Sequence, residues 1–303
     1  MQDENNYGMP RFEGNPILKP IPEHSWESKL VFNPAMFELG DRVHFIYRAM
    51  GDDMVSRLGY ASSHDGQYID ERIDHPVFEP ENPSEVRGVE DPRVTVAGDR
   101  CYMTYTAYGQ TAQIGITSIK SKDLLEKNWH WSERTFPFPG VTNKDSALFP
   151  VKVRGKFVLF HRIEPNLCIA YSDDMRNWND SRIVMIPREN SWDSLKVGIA
   201  GPPIEIDEGW LQIYHGVDQN KVYRLGALLL EKDNPEKILY RSEAPFFEPQ
   251  MDYERNGFVP NVVFSCGAIR RGNEVLISYG AADTVVSVSK FSLDEILLSA
   301  RSV

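Results

Sequence analysis

Five stretches of this chain share one form, and that repeat constrains the fold more than any other feature. Each has a polar or Gly/Pro lead-in, an apolar strand, a turn with Gly or Asp, and a second strand ending in an aromatic residue. They are FNPAMFELGDRVHFIYRA, EDPRVTVAGDRCYMTYTA, KDSALFPVKVRGKFVLFHR, GPPIEIDEGWLQIYHG and PNVVFSCGAIRRGNEVLISYG. The closing aromatics, Tyr47, Tyr105, Phe160, Tyr214 and Tyr279, recur every 54–65 residues. A third strand follows each hairpin, in RLGYASSHDG, IGITSIKSKD, LCIAYSDDMRNW, YRLGALLLEKDNP and VVSVSKFSLDE. Two further strands close alike, on Phe78-Glu79-Pro80 and Phe247-Glu248-Pro249. Three or four strands per unit at a steady period predict propeller blades. Five units predict an all-β fold, a five-bladed β-propeller, with residues 1–303 as a single domain. An array of β-sandwiches is the alternative, but it leaves the shared turn and shared final aromatic unexplained. Short helices are expected only at residues 121–127 and 292–300, the latter with apolar spacing at Leu293, Ile296 and Leu297.

Charge narrows the partners. A net charge of −11 argues against nucleic acid and anionic membranes, because phosphate backbones demand a basic footprint. A small anion held in a local basic pocket stays compatible. No apolar run approaches the roughly 18–20 residues of a membrane helix. The opening MQDENNYGMPRFEGNP is polar and acidic, unlike a secretory leader. Cys101, Cys168 and Cys266 show no CxxC spacing and read as buried small residues in a reducing cytoplasm. The terminal segments are candidates for contacts in a homo-oligomer. No Gly-rich loop leads into a helix, and no GxSxG is present. The seven histidines lack HExxH or HxH spacing, so no metal or cofactor is expected; ligation by His161 and His215 is the minor alternative. Trp129, Trp131, Trp178, Trp192 and Trp210 read as blade packing, with one or two as alternative sugar platforms.

In a propeller the innermost strands converge on one axis, so residues distant in sequence can form a single site. Polar residues stand at matching points of this repeat. At strand starts are Asn33, then Glu90-Asp91-Pro92-Arg93, Asn143-Lys144-Asp145, Gly201-Pro202-Pro203 and Asn261. Just after the closing aromatics come Arg48, Thr106, His161-Arg162, His215 and, slightly later, Asp283. Charges facing a shared axis are costly unless paired or used. Taken singly, Asp91 is a turn former, Asn143-Lys144-Asp145 a solvated turn, the histidines rim groups and Arg162 a blade clamp. Taken together, their equivalence across the repeat favours a site.

The motifs VFNPA, IYRA, GVEDPR, NKDSALFP, LFHR, WDSLKVG with GPP, GWLQIYHGV, YRLGALLL, GFVPNVVF and SYGAADT resemble those of glycoside hydrolase family 130, the β-mannoside phosphorylases and related mannosidases. The resemblance runs from about residue 32 to about residue 280 and implies a five-bladed propeller. It implies that Asp91 is the general acid, passing its proton through the 3-hydroxyl of the sugar. Asn33, Arg48, Asp145 and Asp283 would hold the mannosyl ring, with Glu90 beside them. Lys144, Arg162, Lys196 and His215 would bind phosphate, joined by Arg93 and Tyr223.

Physics agrees with that division. An inverting glycosidase pairs an acid with a carboxylate that activates water. Phosphate is already a nucleophile, so a phosphorylase needs cations that hold the dianion, through charge-assisted hydrogen bonds. The expected reaction is reversible, inverting phosphorolysis of a β-1,2- or β-1,4-mannoside to α-mannose 1-phosphate and a shortened sugar. Inorganic phosphate is co-substrate. The alternatives are a β-mannosidase using Glu254 or Glu164 as base, and a non-catalytic mannan-binding propeller. Linkage and acceptor selection are expected in rim loops at residues 51–57 and 108–112. Burial beside Glu90 would raise the Asp91 pKa and Arg93 would lower it; the sequence leaves the balance open.

Overall fold

The structure, a computed structural model, describes residues 11–301. Its strands form five small antiparallel sheets, one per repeat, arranged as the five blades of a propeller. Blade 1 holds β1 (Leu30–Leu39), β2 (Arg42–Met50), β3 (Arg57–Ser63) and β4 (Glu71–Arg72). Blade 2 holds β5 (Gly88–Ala97), β6 (Arg100–Tyr108) and β7 (Ala112–Lys120). Blade 3 holds β8 (Lys144–Leu148), β9 (Phe157–Ile163), β10 (Asn166–Ser172) and β11 (Asn179–Met185). Blade 4 holds β12 (Lys196–Ile199), β13 (Ile204–Ile206), β14 (Gly209–Val217), β15 (Tyr223–Glu231) and β16 (Asn234–Arg241). Blade 5 holds β17 (Val263–Arg271), β18 (Glu274–Ala281) and β19 (Val285–Ser292). Helices α1 (Ser121–Leu125) and α3 (Leu293–Arg301) fall at the two expected places; α2 (Asp252–Arg255) was not anticipated. The FEP segments add a bridge to the third strand of their blades, Phe78 on Leu58 and Phe247 on Leu225.

The ring is closed by the N-terminal segment. Ile17 N–H donates to Val286 O at 2.9 Å, and Val286 N–H returns a bond to Leu18 O at 3.0 Å. The Asn15 side chain brackets Val288, donating to its carbonyl at 2.7 Å and accepting from its amide at 2.9 Å. The start of the chain thus edges the last blade, covering backbone groups that an open strand would expose. Residues 12–18 of the N-terminal arm, a candidate for oligomer contacts, pair with blade 5 of their own chain; residues 1–10 lie outside the described residues.

The closing tyrosines explain the repeat. In four blades the phenol donates to a buried carboxylate: Tyr47 to Glu27 at 2.8 Å, Tyr105 to Glu85 at 2.6 Å, Tyr214 to Asp193 at 3.0 Å and Tyr279 to Glu254 at 2.8 Å. An arginine neutralises each acid: Arg72, Arg134, Arg241 and Arg11 respectively. Buried charge is tolerable only when paired in this way. In blades 1, 2 and 4 the tyrosine faces a glycine on the third strand, Gly59, Gly115 or Gly226. A Cβ on Gly115 would stand 2.2 Å from the Tyr105 ring, so the ring needs that gap. Blade 3 has Phe160 instead, packed against Phe149 at 5.4 Å.

The inner strands share a second device. Pairing slips at Phe32/Ala35, Glu90/Arg93, Lys144/Ala147 and Phe264/Gly267, extruding two residues each time. Such bulges bend a strand and re-aim its side chains. The first extruded residue in blades 1 to 3 is Asn33, Asp91 or Asp145, at φ of 47°, 51° and 50°. Asn and Asp tolerate this left-handed region better than other side chains. Pro34 and Pro92 follow, at positions that need no ladder N–H. Blade 4 interrupts its inner strand between β12 and β13, at Gly201-Pro202-Pro203.

Glu254, one of the two carboxylates considered as a hydrolytic base, is committed here. It accepts from Arg11 and Tyr279 and from the backbone amides of Gln250 and Met251. Glu254→Ala is expected to destabilise the protein by about 3–5 kcal/mol, because it strands a buried arginine. Tyr279→Phe is expected to cost about 1 kcal/mol. Denaturant titration of both variants checks this; a Glu254→Ala protein as stable as wild type would refute the clamp.

Candidate active site

The bulges open at one end of the axis onto a cavity of about 290 Å³. Blade 1 contributes Asn33 and Arg48, blade 2 Asp91, and blade 3 Lys144, Asp145 and Arg162. Blade 4 contributes Lys196 and Tyr223, and the turn after β18 contributes Asp283. Val259, Val262 and Phe264 form an apolar wall that sequence reasoning missed. Its signal was the match of Val263-Phe264-Ser265 to Val31-Phe32-Asn33, which makes Ser265 the blade 5 equivalent of Asn33. Asn261, aligned to that point from sequence, lies four residues upstream, where its carbonyl accepts from Tyr223 N–H at 3.0 Å.

One half of the cavity is organised by Arg48. Its guanidinium donates to Glu90 at 2.8 Å, to Asp91 at 3.3 Å and to Ser56 at 2.8 Å, with Phe32 beneath it at 4.6 Å. Lys144 reaches Glu90 at 3.2 Å, and the Asn33 amide donates to Asp91 at 2.9 Å. Burial alone would push the Asp91 carboxyl up. The charges of Arg48, Lys144 and Arg93 and the Asn33 hydrogen bond outweigh burial and hold it below its ordinary value. Glu90 does not face the cavity; it stands behind Arg48 and Lys144 as their shared counter-ion. Asp283 differs from Asp91: burial pushes its carboxyl up to about 7, opposed by Arg48 and reinforced by Asp91 and Glu90. Two neighbouring carboxyls with pKa values driven apart are the usual mark of divided acid–base roles.

The other half is organised by Asp145, which Arg162 contacts at 2.5 Å, Arg93 at 3.1 Å and His215 at 3.3 Å. Burial opposes its charge, but Arg162, His215 and Arg93 hold its carboxyl well below the usual range. Lys196 pairs with Glu164 at 3.2 Å. Arg162 keeps one buried nitrogen, Nε, without a protein partner.

Arg93 and His215, expected to bind phosphate, lie under this surface. Arg93 is 1% exposed, and every nitrogen of its guanidinium donates within the protein, to Ala200 O, Asp91 O, Ile199 O and Asp145. His215 is fully buried, its ring tilted against Phe264 at 4.6 Å, and burial holds its imidazole below the ordinary value, so it is neutral near pH 7. It braces Asp145 rather than lining the cavity. His161 is engaged by Asn143 and Ser181. Among the described residues no cluster of three or more His, Cys, Asp or Glu is arranged to hold a metal. Nor is any helix there long and apolar enough to cross a membrane. The three cysteines are free and buried. No tryptophan lines the cavity; the indoles of Trp131, Trp192 and Trp210 donate to blade carbonyls.

Asp283 makes stability depend on pH. Its carboxyl binds a proton more tightly folded, near pH 7, than at its ordinary value of 3.8. Stability therefore falls as pH rises through that window, with the full cost above about pH 7. Asp283→Asn is expected to raise the midpoint of thermal unfolding relative to wild type at pH 8.5, with the gain shrinking at pH 4.5. An equal shift at both pH values would show that Asp283 does not titrate in this way.

Comparison with known proteins places this geometry in a family. Residues 9–301 match the glycoside hydrolase family 130 profile, described as beta-1,4-mannooligosaccharide phosphorylase. The chain is 44% identical to a β-1,2-mannobiose phosphorylase of Thermoanaerobacter sp. (strain X514), across 96% of this chain and 99% of that protein. It is 41% identical to a 1,2-β-oligomannan phosphorylase of the same organism, across 94% and 98%. A solved β-1,2-mannobiose phosphorylase from Listeria innocua, in complex with β-1,2-mannobiose, superposes with a TM-score of 0.85 at 26% identity, covering 97% of this chain and 99% of that one. By its near-complete match to the family profile and to the Thermoanaerobacter phosphorylases, and by the shared fold, this chain belongs to glycoside hydrolase family 130.

Proposed function

We propose that this protein catalyses reversible, inverting phosphorolysis of β-1,2-mannobiose or a short β-1,2-oligomannan, releasing α-mannose 1-phosphate. The observation that carries this reading is an axial cavity in which Asp91 faces Arg48, Lys144, Arg162 and Lys196. The β-1,2 linkage rests on the named activities of the two Thermoanaerobacter relatives.

In this reading Asn33, Arg48, Asp145 and Asp283 hold the mannosyl ring. Lys144, Arg162, Lys196 and Tyr223 hold phosphate, with His215 and Arg93 bracing Asp145 from below. A phosphate oxygen attacks the anomeric carbon from the face opposite the glycosidic oxygen. The bond from that carbon to the leaving sugar breaks, and the leaving oxygen takes a proton that originates on Asp91, relayed by the 3-hydroxyl. Configuration inverts from β to α.

The protein groups around Asp91 favour its ionised form, whereas the reaction needs it protonated. Bound substrates reverse the balance. A phosphate dianion offsets the cations, and the sugar excludes water; both raise a carboxyl pKa. The acid is therefore loaded only when both substrates are present. Hydrolysis would require a carboxylate free to activate water. Of the two considered, Glu254 is locked in the blade 5 clamp; Glu164 lines the cavity beside Lys196, so the phosphate dependence of product formation is what separates the two reactions.

The decisive experiment supplies β-1,2-mannobiose with and without inorganic phosphate and measures mannose 1-phosphate. Phosphate-dependent product is expected; mannose alone, formed without phosphate, would establish hydrolysis instead. Asp91→Asn is expected to lower kcat/KM by about 10²–10⁴ with the fold retained by circular dichroism. Arg162→Ala is expected to raise the KM for phosphate more than that for the sugar. An active Asp91→Asn enzyme would end the assignment of Asp91.

A further inference from the structure

The cavity carries one carboxylate that the reaction above does not use. Glu164 occupies the two-residue turn between β9 and β10, on blade 3, and its partner Lys196 begins β12 on blade 4. The pair therefore spans two blades. The turn itself is pinned, because Val197 N–H donates to Pro165 O at 3.1 Å. The exposed Glu164 side chain makes its contact to Lys196 from that fixed turn.

Its surroundings differ from those of its neighbours. The Glu164 side chain is 58% exposed, while those of Lys196 and Asp145 are 18% and 2% exposed. Asp145 is held by three partners; Glu164 has a single ammonium at 3.2 Å. Burial opposes its charge, but Lys196 and Arg162 together keep its carboxyl below the ordinary value, so it is ionised near neutral pH. A carboxylate fixed beside Lys196 would repel an incoming phosphate dianion. An ion pair with one well-solvated partner is weak, so Glu164 can leave at little cost.

We propose that Glu164 is a displaceable internal anion: it occupies the Lys196 ammonium in the free enzyme and swings into solvent when inorganic phosphate takes its place. This rests on the phosphorolysis reading. Glu164 acts through Lys196 and is a positioning residue. Its carboxylate keeps the ammonium oriented and neutralised between turnovers. A dianion outcompetes it, whereas a monoanion of equal charge gains no advantage, so the exchange favours phosphate over chloride or acetate.

The test is steady-state phosphorolysis of β-1,2-mannobiose by wild type, Glu164→Gln, Lys196→Ala and the double variant. Glu164→Gln is expected to lower the KM for phosphate about three- to tenfold, with the gain shrinking at high ionic strength. The kcat at saturating phosphate should change less than the KM. In the Lys196→Ala background the same substitution should have no effect on KM. An unchanged or higher KM for Glu164→Gln overturns the proposal, as does a kcat loss that exceeds the KM gain. If wild type forms no mannose 1-phosphate, it is the phosphorolysis reading that fails. Isothermal titration of inorganic phosphate into the same four proteins then decides on Glu164: tighter binding to Glu164→Gln supports the exchange, and equal or weaker binding rejects it.

Discussion

The Arg93 guanidinium, buried on the axis, is the contact on which the site depends. It rises from the bulge of blade 2 and donates to the Asp91 carbonyl of its own blade, to Asp145 of blade 3, and to the Ile199 and Ala200 carbonyls of blade 4. Phe264 of blade 5 lies under it at 5.7 Å. Four blades are thereby held in one register around a single cation. A lone buried charge would be very costly; here carbonyls and a carboxylate surround it in the fork geometry that suits arginine. Asp91 and Asp145, the two acidic bulge residues, are both anchored to it, one through its backbone and one through its side chain.

Around that anchor the cavity is built from a repeated bulge and a set of compensated charges. Each cation on the wall faces a carboxylate, which lets an acidic protein gather positive charge at one point. The compensation is uneven. Arg48 and Lys144 share the buried Glu90, whereas the carboxylate paired with Lys196 is the solvated Glu164. The Glu90 side of the cavity is therefore tightly compensated, whereas the Lys196 side keeps a solvated partner.

Much of the fold was legible because strand period, turn chemistry and closing aromatics are local signals. The same repeat drew Asn33, Asp91 and Asp145 together, since a bulge in one blade implies its equivalents. Arg93 and His215 show where that logic stops. Their positions in the repeat matched the basic set, but their burial depends on how blades 2, 4 and 5 meet. Glu254 looked like a free carboxylate because Arg11 and Tyr279, its partners, are 243 and 25 residues away. Asn261 was misplaced by four residues because the bulge of β17 falls at Ser265-Cys266, where no Asn or Asp marks it as in blades 1 to 3.

By itself, then, the sequence determined the architecture: five hairpins with a third strand, too alternating and too often broken by turns to pack as anything but short sheets. It determined the residue types at the axis too, because Asn or Asp followed by Pro suits a left-handed bulge and suits a regular ladder poorly. Tertiary structure alone decided which charges reach the cavity and which are spent beneath it. It also decided that the Asp91 carboxyl is held below its ordinary value while that of Asp283 is raised to about 7. Those outcomes depend on burial and on the summed field of residues from several blades, which spacing along a chain does not encode.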